Sequence, residues 1–420
     1  MSPPVSKKNE INKRNNIIAF ILIFIATILI YSPTLSNKFC LDDTIIFEAS
    51  YPKNIKKLPD LFTNPVPIRE MSYYRPVTFL TFSIDYILNK DNPLGYHITN
   101  LILALITTLT VFFLLRHFFK AKQALFGALF FIAFPGHSEA IINIFNRSQV
   151  ISTFFTVTAL LCFLTVLKRN RPCRFLLFFS AILTFLGCLS KESCLIIPCL
   201  TILICIYFRP DKSLYKHIFG GFLLQTGACL SYLLIRYEIF GILGVPGVDG
   251  FIKNRPLLNM YFNITKIFFD YLRIAIWPVN LSCDYPVKPI ENPHLSGLVF
   301  PLLICVGISS LFHPNKKYRL FGFCFFWFFV ALMPVLHFVP IQIALAERLL
   351  FPAFIGIVIF IVAVISKFRN GFPFIFTCII IFMGYITFQR CFDWYDNTSL
   401  WQQTLKTDRK STRLNSSHYS

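Results

Sequence analysis

Few residues in this sequence can do chemistry, and four short groups hold most of them. Asp42-Asp43 is an adjacent carboxylate pair. Each raises the other's pKa, so one can take a proton while its neighbour orients a substrate or holds a divalent cation. The same pair also suits a solvated loop or the cap of a helix. His137-Ser138-Glu139, with Arg147 further on, follows a break at Pro135-Gly136; its bland reading is an interfacial cap. Lys191-Glu192 sits at the tip of a short hairpin, where an ion pair with a snorkelling lysine would account for it. The fourth group joins Ser282, Asp284 and Tyr285 to Ala346-Glu347-Arg348. An arginine there suits a phosphate because its guanidinium presents paired donors, although an anchor at a helix end explains it equally. Together the groups supply carboxylates that can take an acceptor proton and cations that can stabilise a departing phosphate.

The elements that must position these groups are membrane helices. Of 420 residues, 55% are hydrophobic and 14% charged, more apolar surface than a soluble core buries. Apolar runs close to the bilayer-spanning length of about 20 residues fall at 17–35, 97–115, 123–135, 150–167, 175–190, 194–208, 217–235, 296–312, 320–338, 348–366 and 372–388. The expectation is an all-α polytopic bundle of about 11 transmembrane helices. The net charge of +20 collects in short loops such as Arg116 to Lys122, Lys168 to Arg171, Arg209 to Lys216, Lys316 to Arg319 and Lys367 to Arg369. The positive-inside rule puts such loops in the cytoplasm, which argues against a nucleic-acid partner. The thirteen cysteines form no metal-like CxxC spacing and mostly serve as small hydrophobes. Cys40 and Cys283, both in external loops, are a candidate disulfide.

Residues 1–16 then form a cytoplasmic segment ahead of a signal anchor, and 17–390 the membrane domain, with external loops at about 36–96, 136–149 and 237–295. In the last of these, Asn259, Asn263, Lys266, Asp270 and Arg273 share one helical face. If 257–280 lies in the interface, both later basic loops stay inside and the C-terminus is non-cytoplasmic; if it spans, both fall outside. Asp393-Trp394-Tyr395 and Leu400 to Leu405 start an amphipathic helix. After residue 410 the periodicity stops, and 410–420 reads as a non-native tail.

The run Tyr74-Arg75-Pro76-Val77-Thr78-Phe79-Leu80-Thr81-Phe82-Ser83-Ile84-Asp85-Tyr86, followed by Asn92 to Asn100, resembles the first-loop signature of TMTC-type proteins. These are transmembrane and tetratricopeptide-repeat O-mannosyltransferases and their bacterial relatives. Ala133 to Ala140, Ser190-Lys191-Glu192, Leu281 to Tyr285 and Ala346 to Leu350 fit in the same order, and the similarity covers about 17–408. The resemblance implies the GT-C glycosyltransferase fold and transfer of a sugar from a polyprenyl-phosphate carrier to a protein or glycan acceptor outside the cytoplasm. It maps the expected base onto Asp42 or Asp43. Arg348, with Arg75 or Lys191, would hold the donor phosphate. His137, Glu139, Arg147, Asp284, Tyr285 and Glu347 are candidates for the sugar and acceptor sites. It also makes 391–409 the entry to tetratricopeptide repeats and the tail a sign of truncation. No cofactor is implied beyond the divalent cation already mentioned. The sequence departs from the pattern at Pro135-Gly136, where a β-branched residue is usual, and at Ser148-Gln149, where relatives often place an acid beside Arg147.

Two other functions compete. A transporter would carry charges at mid-span and internal repeats; here the ionisable groups lie at helix ends and no repeat is evident. A non-catalytic scaffold displaying repeats would have no use for the acidic pair. The bacterial inner membrane is the preferred location, with the endoplasmic reticulum for a eukaryotic chain.

Overall fold

The computed structural model describes the whole chain except residues 1–4, 45, 47–54, 69–70, 242–255, 286, 288–293, 339–342, 344, 369–370 and 408–420. The tail read as non-native therefore lies outside the described residues, as does part of the loop at 237–295.

The architecture is an all-α polytopic bundle. Its first helix, α1 (Val5–Tyr31), leads into the first loop, which holds short 3-10 turns at Leu41–Thr44 and Ile55–Phe62. A small hairpin of β1 (Val66–Ile68) and β2 (Met71–Tyr73), paired antiparallel, is the one feature the all-helical expectation lacked. The loop ends in α2 (Pro76–Asn89), and Phe79 and Phe82 on α2 join Ile46, Leu61, Val66, Tyr96 and Ile144 in a core of the loop's own. Then follow α3 (Pro93–Leu115), α4 (Ala121–Ala133), α5 (Ser138–Ile142), α6 (Arg147–Arg169), α7 (Arg174–Cys188), α8 (Ile197–Phe208) and α9 (Tyr215–Phe240). The second half holds α10 (Leu257–Ile276), α11 (Leu295–Phe312), α12 (Lys316–Leu332), α13 (Phe354–Ile365), α14 (Phe372–Asp393) and α15 (Asn397–Thr407).

Local sequence explains the ends. Asn92 accepts the Leu94 N–H, and Pro93 follows where no helical N–H is needed, so α3 begins there. Pro135 cannot continue α4, and the chain bends by 58° into Pro135–Ile142. Asn170 and Arg209 close α6 and α8 in the left-handed conformation, at φ 48° and 50°.

Seven helical segments among the described residues are long and apolar enough to cross a membrane, and eight with the bent pair at Ala121–Ala133 and Pro135–Ile142. Eleven crossings would also require the shorter apolar helices Arg174–Cys188, Glu192–Phe208 and Phe354–Ile365 to cross. The segment α10 is not among the seven or eight. Its buried stripe is Ile264, Ile267, Phe268, Tyr271 and Ile274, while Lys266 and Asp270 pair at 2.7 Å one turn apart. Many large apolar side chains face outward, including Phe175, Leu234, Leu298, Phe374 and Phe382. On a water-soluble protein such a surface would aggregate; it suits lipid.

The bundle has two chemically different ends. At 23 residues, α6 is roughly 35 Å long. It begins at Arg147 beside the first loop and ends at a cavity of about 250 Å³ lined by His117, Lys168, Asn170, Arg209 and Asp211. Those basic loops meet at one end, and the four chemical groups meet at the other.

Candidate active site

Each group stands at the end of a helix, where the chain leaves the apolar bundle and a charge can be accommodated. Arg75 immediately precedes α2. Its Nε and Nη2 donate to Glu192 Oε2 at 3.1 and 2.9 Å. Arg236, on α9, donates to the other oxygen of Glu192 at 3.0 Å. One carboxylate thus holds two arginines, a charge-assisted arrangement. Burial pulls the Arg75 guanidinium down, but Glu192 more than restores it.

Lys191 lies next to Glu192 and is 9% exposed. It forms no ion pair among the described residues. Burial, then Arg75 and Arg348, hold its ammonium well below the usual lysine range. Arg348 comes from the 3-10 turn Glu347–Leu350. It pairs with Glu139 of α5, and its backbone N–H donates to Glu139 Oε2 at 2.9 Å. Burial lowers the Arg348 guanidinium, and the charges of Glu139 and Asp42 outweigh burial. The charge of Asp42 therefore acts on the same arginine. Arg75, Lys191, Arg348, Glu139 and Asp42 form one electrostatic cluster, assembled from five separate places in the chain.

The two members of the acidic pair differ sharply. Asp42 is partly exposed. Asp43 is 1% exposed; it accepts the Phe145 N–H at 2.9 Å and the Cys40 N–H at 3.2 Å. Burial pushes its carboxyl up to about 8, against the pull of those N–H groups. Asp43 thus staples the first loop to the segment ahead of α6.

A second network adjoins the first along the chain. Glu347, fully buried, accepts the Tyr285 hydroxyl and the Ser282 N–H, each at 2.7 Å, and Arg390 Nη2 at 2.9 Å. Arg390 Nε also donates to Ser138 Oγ at 2.8 Å. Burial pushes the Glu347 carboxyl up to about 7, although Arg390 opposes it. Asp284 closes a small turn: its N–H donates to Ser282 Oγ and its carbonyl accepts from the same hydroxyl, at 3.3 and 2.7 Å.

Two candidates are placed elsewhere. His137 is fully buried among the rings of Phe131, Phe134, Phe351 and Phe354, with Nδ1 2.8 Å from the Phe131 carbonyl. Arg147, also fully buried, pairs with Asp85 of α2 at 2.6 Å, donates to Asn100, Thr81 and the Tyr96 carbonyl, and lies over the Phe82 ring. Its carboxylate comes from the first loop and not from position 148 or 149. Cys40 and Cys283 are free thiols. Among the described residues no group of three or more His, Cys, Asp and Glu could hold a metal ion, so the divalent cation considered from the sequence has no evident ligand set there.

Sequence reasoning left out Arg236, Arg390 and Asp85. The signal was available for the two arginines: each lies in an apolar helix, where a charge is costly unless it has a partner.

Residues 75–233 match the family described as dolichyl-phosphate-mannose-protein mannosyltransferase, a stretch that includes Arg75, Glu139 and Lys191. Protein O-mannosyl-transferase F38B6.6 of Caenorhabditis elegans is 26% identical over 364 residues, covering 82% of this chain and 50% of that protein. The chain is similar to TMTC-type proteins over most of its length. Protein O-mannosyl-transferase TMTC3 of Mus musculus is 22% identical over 392 residues, again 82% of this chain and 42% of the mouse protein. Over a shorter stretch of 92 residues, identity to TMTC1 of Homo sapiens reaches 33%, covering 21% of the chain and 10% of that protein. The chain spans half or less of the length of these relatives.

Proposed function

We propose that this chain is an integral membrane glycosyltransferase that moves a mannose-like sugar from a polyprenyl-phosphate carrier to a hydroxyl on a protein or surface glycan, on the non-cytoplasmic side. The observation that carries the reading is Lys191. A buried ammonium that forms no ion pair among the described residues, with the positive charges of Arg75 and Arg348 nearby, is stabilised by the anionic phosphodiester of an arriving donor, and more so by the dianionic lipid phosphate that departs. The charge of Asp42 acts on the same Arg348 and its side chain retains contact with solvent, so it is the base and Asp43 its structural support. In the reaction the bond between the sugar C1 and the phosphate oxygen breaks, and the acceptor oxygen bonds to C1. The acceptor proton passes to Asp42, and the lipid phosphate leaves against the three cations. Glu139 orients Arg348. Asp284, Tyr285 and Glu347 shape the sugar and acceptor side.

The test is transfer from a radiolabelled polyprenyl-phosphate sugar in membranes expressing the protein. Asp42→Asn should lower kcat by about 10²- to 10⁴-fold, the range for a lost general base. Asp43→Asn should retain most activity. Lys191→Met should raise the donor KM. Full activity in both Asp42→Asn and Lys191→Met would overturn the assignment.

A further inference from the structure

The backbone just ahead of Asp42 is held in an unusual conformation by a distant part of the chain. Leu41 has φ 55°, in the left-handed region that side chains with a Cβ rarely enter and keep only where their surroundings over-determine them. The surroundings here are the elbow between α14 and α15. The Leu41 N–H donates to Asn397 Oδ1 at 2.7 Å. One turn earlier the Lys38 N–H donates to the Tyr395 carbonyl at 2.9 Å, and Asn37 Nδ2 to the Cys391 carbonyl at 3.0 Å. Lys38 Nζ reaches Asp396 at 3.5 Å and lies over the Tyr395 ring. Buried Trp394 and Leu400 anchor the elbow, and α15 touches the loop before α11 through Thr404 Oγ1 and Cys283 Sγ, 3.2 Å apart.

We propose that Asn397 is a positioning residue for the base. By holding the Leu41 N–H it locks the left-handed turn, and with it the direction in which the next residue, Asp42, leaves the backbone. The seating of α15 on the first loop then sets turnover, although α15 carries no member of the cation cluster. This inference rests on Asp42 as the base. Water could satisfy the Leu41 N–H equally well in chemical terms, but it would leave the turn free to relax to negative φ; a side chain fixed to a packed elbow does not.

The experiment compares wild type, Asn397→Ala, Asn397→Asp and Asp42→Asn by sugar transfer and by hydrogen exchange of the peptide spanning 37–44, with peptides of α6 as the folding control. Asn397→Ala should lose Leu41 protection and lower kcat by about 10- to 100-fold, the cost of small misplacement, with the donor KM within about twofold of wild type. Asn397→Asp keeps an acceptor oxygen and should restore both. Unchanged kcat in Asn397→Ala beside an inactive Asp42→Asn would overturn the positioning role alone, as would failure of Asn397→Asp to rescue. Full activity in Asp42→Asn would overturn the base assignment instead, and Leu41 exchange would then decide whether the clamp exists.

Discussion

Burial sets two adjacent carboxylates apart. Asp42 and Asp43 have the same chemistry and are one peptide apart, yet one is partly exposed and the other is sealed under the loop. The sealed carboxyl is held near 8 and Glu347 near 7, both above the ordinary carboxylate range. A raised acid pKa means the folded state keeps a proton that the unfolded state releases, so the stability these groups contribute is full below about pH 4 and is lost as pH rises through 7 to 8. The thermal midpoint in detergent should therefore fall between pH 5 and 8. Asp43→Asn, which fixes the neutral form, should flatten that slope at a cost of about 1 kcal/mol for the weakened N–H acceptor. Glu347→Ala removes the partner of a buried guanidinium, and unfolding measurements should show a loss of about 3 to 5 kcal/mol.

Charges and glycines also fix how the elements meet. Asp85 and Arg147 tie α2, and with it the first loop, to the start of α6; their side chains are 4% and 0% exposed. Asp85→Ala should destabilise by about 3 to 5 kcal/mol, because Arg147 is left buried without its carboxylate. Asp85→Leu combined with Arg147→Met should recover most of that loss, and a double-mutant cycle would reveal the coupling. At the α11–α12 contact, a Cβ on Gly322 would collide with the Leu311 backbone nitrogen and the Gly307 carbonyl. Small residues let membrane helices approach at backbone distance. Gly322→Ala should therefore push these helices apart and lower the thermal midpoint, at about 1 to 3 kcal/mol.

At the scale of the molecule, the basic loops and the cation cluster occupy opposite ends of helices long enough to cross a bilayer. Reporter domains fused after residue 170 and after residue 285 should consequently be active on opposite sides of the membrane; activity on the same side would refute the proposed topology. The helices were legible because a spanning helix must be a run of apolar residues of bilayer length, a property written locally in the chain. The bend at Pro135 was legible for the same reason. The candidate site residues could be picked out by type, but their company was not readable. Glu139 and Arg348 lie 209 residues apart and Asn397 lies 356 from Leu41, and no spacing rule connects such positions. By itself the sequence determined an all-helical membrane protein with charge gathered at helix ends, since hydrophobicity and charge act residue by residue. Only the tertiary structure decided that Asp43 is sealed, that Lys191 is buried outside the ion pairs of the described residues, and that Arg147 belongs to a latch. Desolvation and pairing depend on which distant surfaces close over a group, and packing alone sets that.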